Sequence, residues 1–137
     1  MARNTFRGKK QFINRLEKLK RVVADEIIAA QAANAADMAA LARAWAPRDQ
    51  GGLAESTKVE KYERVAGYAR HRVVSGVSGN APGGGAGRKP YYARWVEFGT
   101  AFRRATPYFY PAYRTLRRKF RRRLSAAFKR GRQKVMK

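Results

Sequence analysis

The chain has 137 residues, a hydrophobic content of 45% and a formal net charge of +23 at pH 7. That hydrophobic content argues against a disordered segment. The lack of cysteine excludes disulfides and thiolate metal sites, and the single histidine, His71, excludes a histidine-cluster metal site. The excess of 32 lysines and arginines over 9 acidic residues favours a polyanionic partner: nucleic acid, an acidic protein surface or an anionic membrane.

A long first helix is predicted from about Lys9 to Ala46. Apolar residues recur there at steps of three and four, and Asn34 interrupts them: Phe12, Leu16, Leu19, Val23, Ile27, Ala30, Met38, Leu41 and Trp45. Pro47 ends the helix, because the residue before proline disfavours helical backbone. Such a helix is over about 50 Å long. A domain this small cannot cover it, so we expect it to bend or to contact a neighbouring subunit.

Two antiparallel strands are predicted after the turn cluster at 47–52. They cover Ser56 to Tyr62 and Val65 to Val77, with a turn near Glu63. The glycine-rich segment Ser78 to Lys89 is predicted to be a flexible loop. It lacks the Gly-Lys-Ser/Thr of a phosphate-binding loop, so we interpret it as an arm that orders on a partner.

The last third of the chain combines aromatic and basic residues. Tyr91 to Phe98 is predicted as a short helix or strand closed by Gly99, and Pro111 to Lys129 as a second helix. On that helix, an apolar stripe lies opposite a basic face. The chain has fourteen basic residues after its last acidic residue, Glu97. We expect the face to contact DNA or an acidic partner, with a solvated face as the structural alternative; its residues are Arg114, Arg117, Arg118, Arg121, Arg122 and Arg123.

No catalytic site is predicted. The chain has no cysteine nucleophile and no Gly-x-Ser-x-Gly elbow, and no second titratable group accompanies Glu97. We interpret Glu97 as a structural anchor bound by an arginine or by amides near Thr100. We therefore expect no enzymatic activity, no cofactor and no metal. We also expect no membrane partner, because no apolar run approaches the roughly 18 residues of a membrane span. The basic N-terminus lacks the core of a secretory signal, which predicts synthesis in the cytoplasm.

Three sequence elements resemble the neck and tail-completion proteins of tailed bacteriophages. They are APRDQGGLAES at 46–56, YARWVEFGT at 92–100, and ATPYFY with Pro111 and Ala112 at 105–112. Gln50 and Gly51 stand where Thr-Gly is usual in that family, Gly52 is extra, and Tyr108 and Tyr110 replace the usual Phe and Arg. The basic C-terminus is not part of the family pattern.

The resemblance implies an α+β fold, a small antiparallel sheet flanked by the long N-terminal helix and the basic C-terminal helix. We expect one domain over residues 1–137, with basic arms at both ends and the loop at 78–89. The resemblance also implies a virion protein: a homo-oligomeric ring, commonly a hexamer, that connects the head to the tail tube around the DNA channel. The implied partners are connector and tail-tube proteins and the genomic DNA. The motif residues expected at subunit contacts are Tyr92, Trp95, Glu97, Phe98, Gly99, Thr100, Pro107, Phe109 and Pro111.

A small basic nucleic-acid-binding protein is the alternative function. It would bind duplex DNA with a steep salt dependence and would need no assembly partner. A ring subunit, in contrast, would form oligomers even after its basic face had been neutralised.

Overall fold

The computed structural model describes residues 8–48, 52–65, 68–76 and 92–136, with side chains described outside 61–69. The elements are α1 (Lys9–Trp45), α2 (Gly52–Ser56), β1 (Lys58–Val65), β2 (Tyr68–Val74), α3 (Ala93–Phe98) and α4 (Phe109–Met136). The predicted α+β fold is confirmed. The predicted glycine-rich loop at 78–89 lies outside the described residues.

The two long helices α1 and α4 pack against each other in antiparallel directions. Arg123 reaches Asp37, whereas Arg130, further along α4, reaches Glu26, nearer the start of α1. Small buried residues let the two backbones approach closely: Ala30 of α1, and Ala127 and Gly131 of α4. A Cβ atom at Gly131 would lie 2.8 Å from the Cα of Val23, so glycine is required at this crossing.

Helix α1 extends beyond the end of α4. Gly131 lies beside Val23, and the described part of α4 ends at Met136, so α1 residues before about 18 have no α4 turn alongside them. Every residue from 9 to 18 is exposed, including Phe12, Ile13 and Leu16 at 58%, 42% and 48%. We call residues 9–18 the overhang. Its exposed apolar residues agree with the expectation that α1 is too long for this domain to cover.

The hydrophobic core lies at the opposite end of the helix pair. It is formed where the end of α1, α2, α3 and the start of α4 meet, by Met38, Ala42, Ala46, Leu53, Val96, Tyr108 and Ala112. Phe12, Leu16 and Trp45 of the predicted apolar stripe are exposed. Ala35, Ala39 and Ala42 bury the neighbouring face of α1.

The sheet is a two-stranded antiparallel ribbon that packs on α1. Its register pairs Lys58 with Val74 and Val59 with Val73, with an irregularity between Tyr62 and Val65. The predicted strand boundaries need correction. Ser56 belongs to α2, and β1 continues through Val65, past the turn predicted near Glu63. Strand β2 ends at Val74, before Gly76 adopts a positive φ of 68°.

The helical predictions were closer. Helix α1 ends one residue before the predicted Ala46, and the segment predicted as helix or strand before Gly99 is the helix α3. Helix α4 begins two residues earlier and continues seven residues further than predicted. Asn34, which interrupts the apolar stripe, is buried and accepts a hydrogen bond from Arg123 at 2.8 Å, so it bridges the two long helices.

Candidate functional site

The side chain of Glu97 fixes the start of α4. The backbone N–H groups of Tyr108 and Phe109 each donate to Oε2 of Glu97 at 2.9 Å, and that of Tyr110 donates to Oε1 at 3.0 Å. The first N–H groups of a helix have no partner within the helix. Pro111 has no N–H, and the amide of Ala112 already bonds to the Tyr108 carbonyl. Glu97 therefore binds the remaining donors of this terminus, where a negative charge also complements the helix dipole.

A tight turn brings Glu97 to this position. Gly99 has φ 77° and ψ 178°, backbone that essentially only glycine adopts. A Cβ atom there would lie 2.9 Å from the Ala105 nitrogen. The Thr100 hydroxyl accepts from the amide of Arg103 at 3.0 Å, and the Thr106 amide donates to the Val96 carbonyl at 2.8 Å. The Glu-Phe-Gly-Thr sequence thus folds the chain back onto α3.

A chain of hydroxyl groups links this turn to the rest of the core. Tyr108 is 1% exposed, and its hydroxyl lies 2.7 Å from that of Ser75, which lies 2.7 Å from that of Thr57. The Thr57 hydroxyl in turn donates to the Leu53 carbonyl at 3.1 Å. Burial raises the pKa of the Tyr108 phenol above its ordinary value, so the phenol stays protonated and can donate. The hydroxyls join the ends of α2 and β2 to the start of α4.

Large aromatic side chains are exposed around the Glu97 turn. Trp95, Phe98 and Tyr110 are 51%, 65% and 51% exposed, and Phe102 is fully exposed. The Phe98 and Tyr110 rings lie 5.9 Å apart in a tilted arrangement. We call these four residues the aromatic end. Because exposed aromatic side chains are enriched at protein contacts, this end has the composition of an interaction surface.

The geometry around Glu97 offers little for acid–base chemistry. Glu97 borders an open depression of about 370 Å³, whose other lining residues are Phe98, Pro107, Tyr110, Pro111 and Arg114. Both carboxylate oxygens accept backbone hydrogen bonds, and no second acid or histidine of the described residues lines the depression. The arrangement therefore acts as a helix cap.

A second depression, of about 440 Å³, lies between α1, β2 and α4. It is bordered by Gln31 Oε1 and His71 Nδ1, which are buried and have no hydrogen-bond partner among the described residues. None of the described side chains that line this depression is acidic. Within the described ranges, no group of three or more potential metal ligands occurs, and no helix is long and apolar enough to cross a membrane.

The structure gives the predicted site residues different surroundings. Tyr92 and Phe109 are half-buried and pack against the core, Pro107 and Thr100 are exposed, and Pro111 lies in the first turn of α4. The partners of Glu97 are backbone amides, as one of the two predicted alternatives had it, but they are those of 108–110 and not those near Thr100. Sequence reasoning missed the hydroxyl chain entirely, since Ser75 and Thr57 lie in no recognisable pattern.

The predicted basic residues of α4 fall into two groups. Arg114, Arg117, Arg118, Arg121 and Arg122 are exposed. Arg123 is only partly exposed, and its guanidinium donates to Asn34 and to Asp37, at 2.8 and 2.9 Å. Its positive charge is therefore neutralised within the helix pair.

Comparison with known proteins gives one family match. The family model described as "Bacteriophage HK97-gp10, putative tail-component" matches residues 10–99, about two thirds of the chain. The matched part contains α1, the strand ribbon, α3 and Glu97, and ends before α4. No curated protein and no solved structure gives a significant match.

Proposed function

Because the chain belongs to the HK97-gp10-like family of bacteriophage tail components, we propose that it is a structural virion protein that completes the neck, joining head to tail tube as one subunit of a ring. The family is one of structural tail components, and the predicted resemblance to tail-completion proteins is confirmed at that level. A location in the neck of the virion, a ring around the DNA channel and contacts with neighbouring connector and tail-tube proteins are the finer parts of this proposal.

The observation that carries the ring is the presence of two exposed apolar surfaces at opposite ends of the helix pair. The aromatic end surrounds the start of α4, and the overhang projects past the other end of that helix. Helix α1 alone, with 37 residues, is about 55 Å long. The two surfaces therefore cannot meet within one subunit.

Two different surfaces that bind each other produce a head-to-tail contact, and such contacts close into rings when the rotation between subunits allows it. We propose that Phe12 and Leu16 of one subunit pack on the aromatic end of the next. Phe102 is the natural centre of that contact, because its side chain has no cover within the subunit. The motif residues predicted at subunit contacts would act here through Trp95 and Phe98, while Glu97, Gly99 and Thr100 hold the surface in shape.

The test compares the size of three purified full-length proteins by chromatography with light scattering. We expect the unmodified protein to form a ring, with six subunits as the resemblance implies. Phe102→Ser should disrupt the aromatic end, and a Phe12→Ser, Leu16→Ser double variant should disrupt the overhang. Each variant should lose the ring. Phe128→Ser is the matched control, because Phe128 is 51% exposed on α4 but belongs to neither surface.

A mixing experiment distinguishes a head-to-tail contact from a general loss of solubility. Each variant keeps one intact surface, complementary to the intact surface of the other. Mixed together, they should form a dimer and stop there. The ring proposal fails if the unmodified protein is a monomer at high concentration and is absent from purified virions. The proposed contact alone fails if rings persist in both variants.

A further inference from the structure

The structure divides the cations of α4 into two groups that the sequence does not distinguish. One edge of the helix is paired with acids of α1. Lys119 and Arg123 contact Asp37 at 2.9 Å each, and Arg130 and Lys134 contact Glu26 at 3.2 and 2.5 Å. Hydrogen bonds from Lys119 and Lys134 are the largest causes that lower the pKa values of Asp37 and Glu26, respectively. These four cations hold the helix pair together.

Six arginines and Lys129 lie away from this edge. All are exposed, and none forms an ion pair with an acid in the described part of the chain. Helix α4 itself contains no acidic residue. At 100° per residue these arginines occupy one side of the helix and extend about 27 Å along it. We call this set the free arginine face: Arg114, Arg117, Arg118, Arg121, Arg122 and Arg132.

The free arginine face is unfavourable for an isolated subunit. Like charges three and four residues apart on a helix repel each other, and Arg117 with Arg121, Arg118 with Arg121 and Arg118 with Arg122 are such pairs. A polyanion placed against the face would offset this repulsion between arginines with its own attraction to them. The net charge of +23 also exceeds what solubility requires of a small domain.

Another copy of the chain cannot supply that polyanion. Each copy brings 9 acidic residues and 32 basic ones, so every added subunit increases the positive charge of an oligomer. Glu26, Asp37 and Glu97 are also already bound within their own subunit. The partner must therefore be a different molecule with dense negative charge.

Duplex DNA fits this face better than an acidic protein surface does. DNA carries about one negative charge per 1.7 Å of its axis, so a stripe of about 27 Å meets phosphates along its whole length without a specific register. Six of the seven unpaired cations of α4 are arginines, whose planar guanidinium suits phosphate oxygens and is weakly hydrated. An acidic protein would need an unpaired carboxylate run of equal length.

We propose that the free arginine face of α4 binds the phosphates of duplex DNA without sequence specificity. This adds a contact to the proposed tail role and does not depend on ring formation. The family match ends at residue 99, so the face is a feature of this chain beyond the matched region.

The test is fluorescence anisotropy of the full-length protein with a duplex of about 20 base pairs, at salt concentrations from about 50 to 200 mM. The variant replaces Arg117, Arg118, Arg121 and Arg122 by Gln. The matched control replaces Lys20, Arg21, Arg48 and Arg70 by Gln, four exposed cations that lie outside α4, the overhang and the aromatic end, and it removes the same net charge. Circular dichroism and light scattering on both variants establish that folding and oligomeric state are kept.

We expect the face variant to bind at least about 100-fold more weakly near 100 mM salt, and its plot of log K against log salt to be shallower by about 3 to 4. The control should change far less. Equal losses in the two variants would show attraction by total charge and overturn the proposal. So would poly-glutamate that competes as well as DNA at equal charge, since the partner would then be an acidic protein. Rings that form without DNA binding would refute this face and leave the tail role standing.

Discussion

Replacing Glu97 removes the acceptor for three backbone amides at the start of α4. Loss of a helix cap costs about 0.5–2 kcal/mol, and a hydrogen bond to a charged group contributes roughly 1.5–3 kcal/mol. These terms are not additive, and the amide of exposed Tyr110 can bind water after the change. We therefore expect Glu97→Ala to lower the free energy of unfolding by about 3 kcal/mol. Glu97→Gln keeps one acceptor oxygen but turns an NH₂ group toward an amide, so about 2 kcal/mol is expected.

The assay is urea unfolding followed by circular dichroism at 222 nm, at one fixed protein concentration because oligomers respond to concentration. Glu17→Gln is the control, an exposed acid on α1 with no hydrogen bond or ion pair among the described residues, and should change stability by less than about 0.5 kcal/mol. If Glu97→Ala matched this control, the carboxylate would not be what secures α4, and the account of the turn would be wrong.

Other substitutions test the close contacts and the ion pairs. Gly131→Ala should destabilise the protein by about 1–3 kcal/mol despite the better helix propensity of alanine, because its Cβ meets Val23. The control is Ser125→Ala at an exposed position of α4, which should be neutral or stabilising in the same unfolding assay. Equal effects of the two substitutions would contradict the close approach of the helices at Gly131. Gly99→Ala should cost about 1–3 kcal/mol in thermal unfolding through its positive φ and its contact with Ala105, and an unchanged melting temperature would refute the strain. The pKa of Asp37 is lower in the folded protein, so its contribution to stability is present above the unfolded value and is lost as the pH falls below about 4. The urea midpoint should therefore drop further between pH 7 and pH 3 in the unmodified protein than in Asp37→Asn; parallel drops would argue against the pair.

The sequence predicts the two long helices well because their periodic patterns persist over many turns. It predicts the buried face of α1 poorly. Alanine differs little from its surroundings in hydropathy, so Ala35, Ala39 and Ala42 do not stand out in the pattern, while Phe12 and Leu16 do. Whether a face is buried depends on how close the partner helix comes. That distance is set by Gly131, Ala127 and Ala30, which no pattern within one helix reveals.

The Glu97 turn was predictable in kind but not in detail. An isolated glutamate among aromatics indicated an anchor. Its partners lie 11 to 13 residues away, and their position depends on the reversal at Gly99. One signal could have located them. The second helix begins after Tyr108, which cannot cap a helix with its side chain, so an acceptor had to come from elsewhere in the chain.

The dual role of the Glu97 carboxylate couples docking to folding. It sets the start of α4 and, through the same turn, the placement of Phe98, Phe102 and Tyr110. Whatever binds this end only when it is correctly shaped must raise the stability of the helix pair by linkage, and the effect is reciprocal. A substitution as remote as Gly131 should weaken association only to the extent that it lowers the folded fraction, because the apparent dissociation constant rises by the inverse of that fraction. In the assembly proposed above, binding at the aromatic end and the stability of the helix pair would therefore be linked through one thermodynamic cycle.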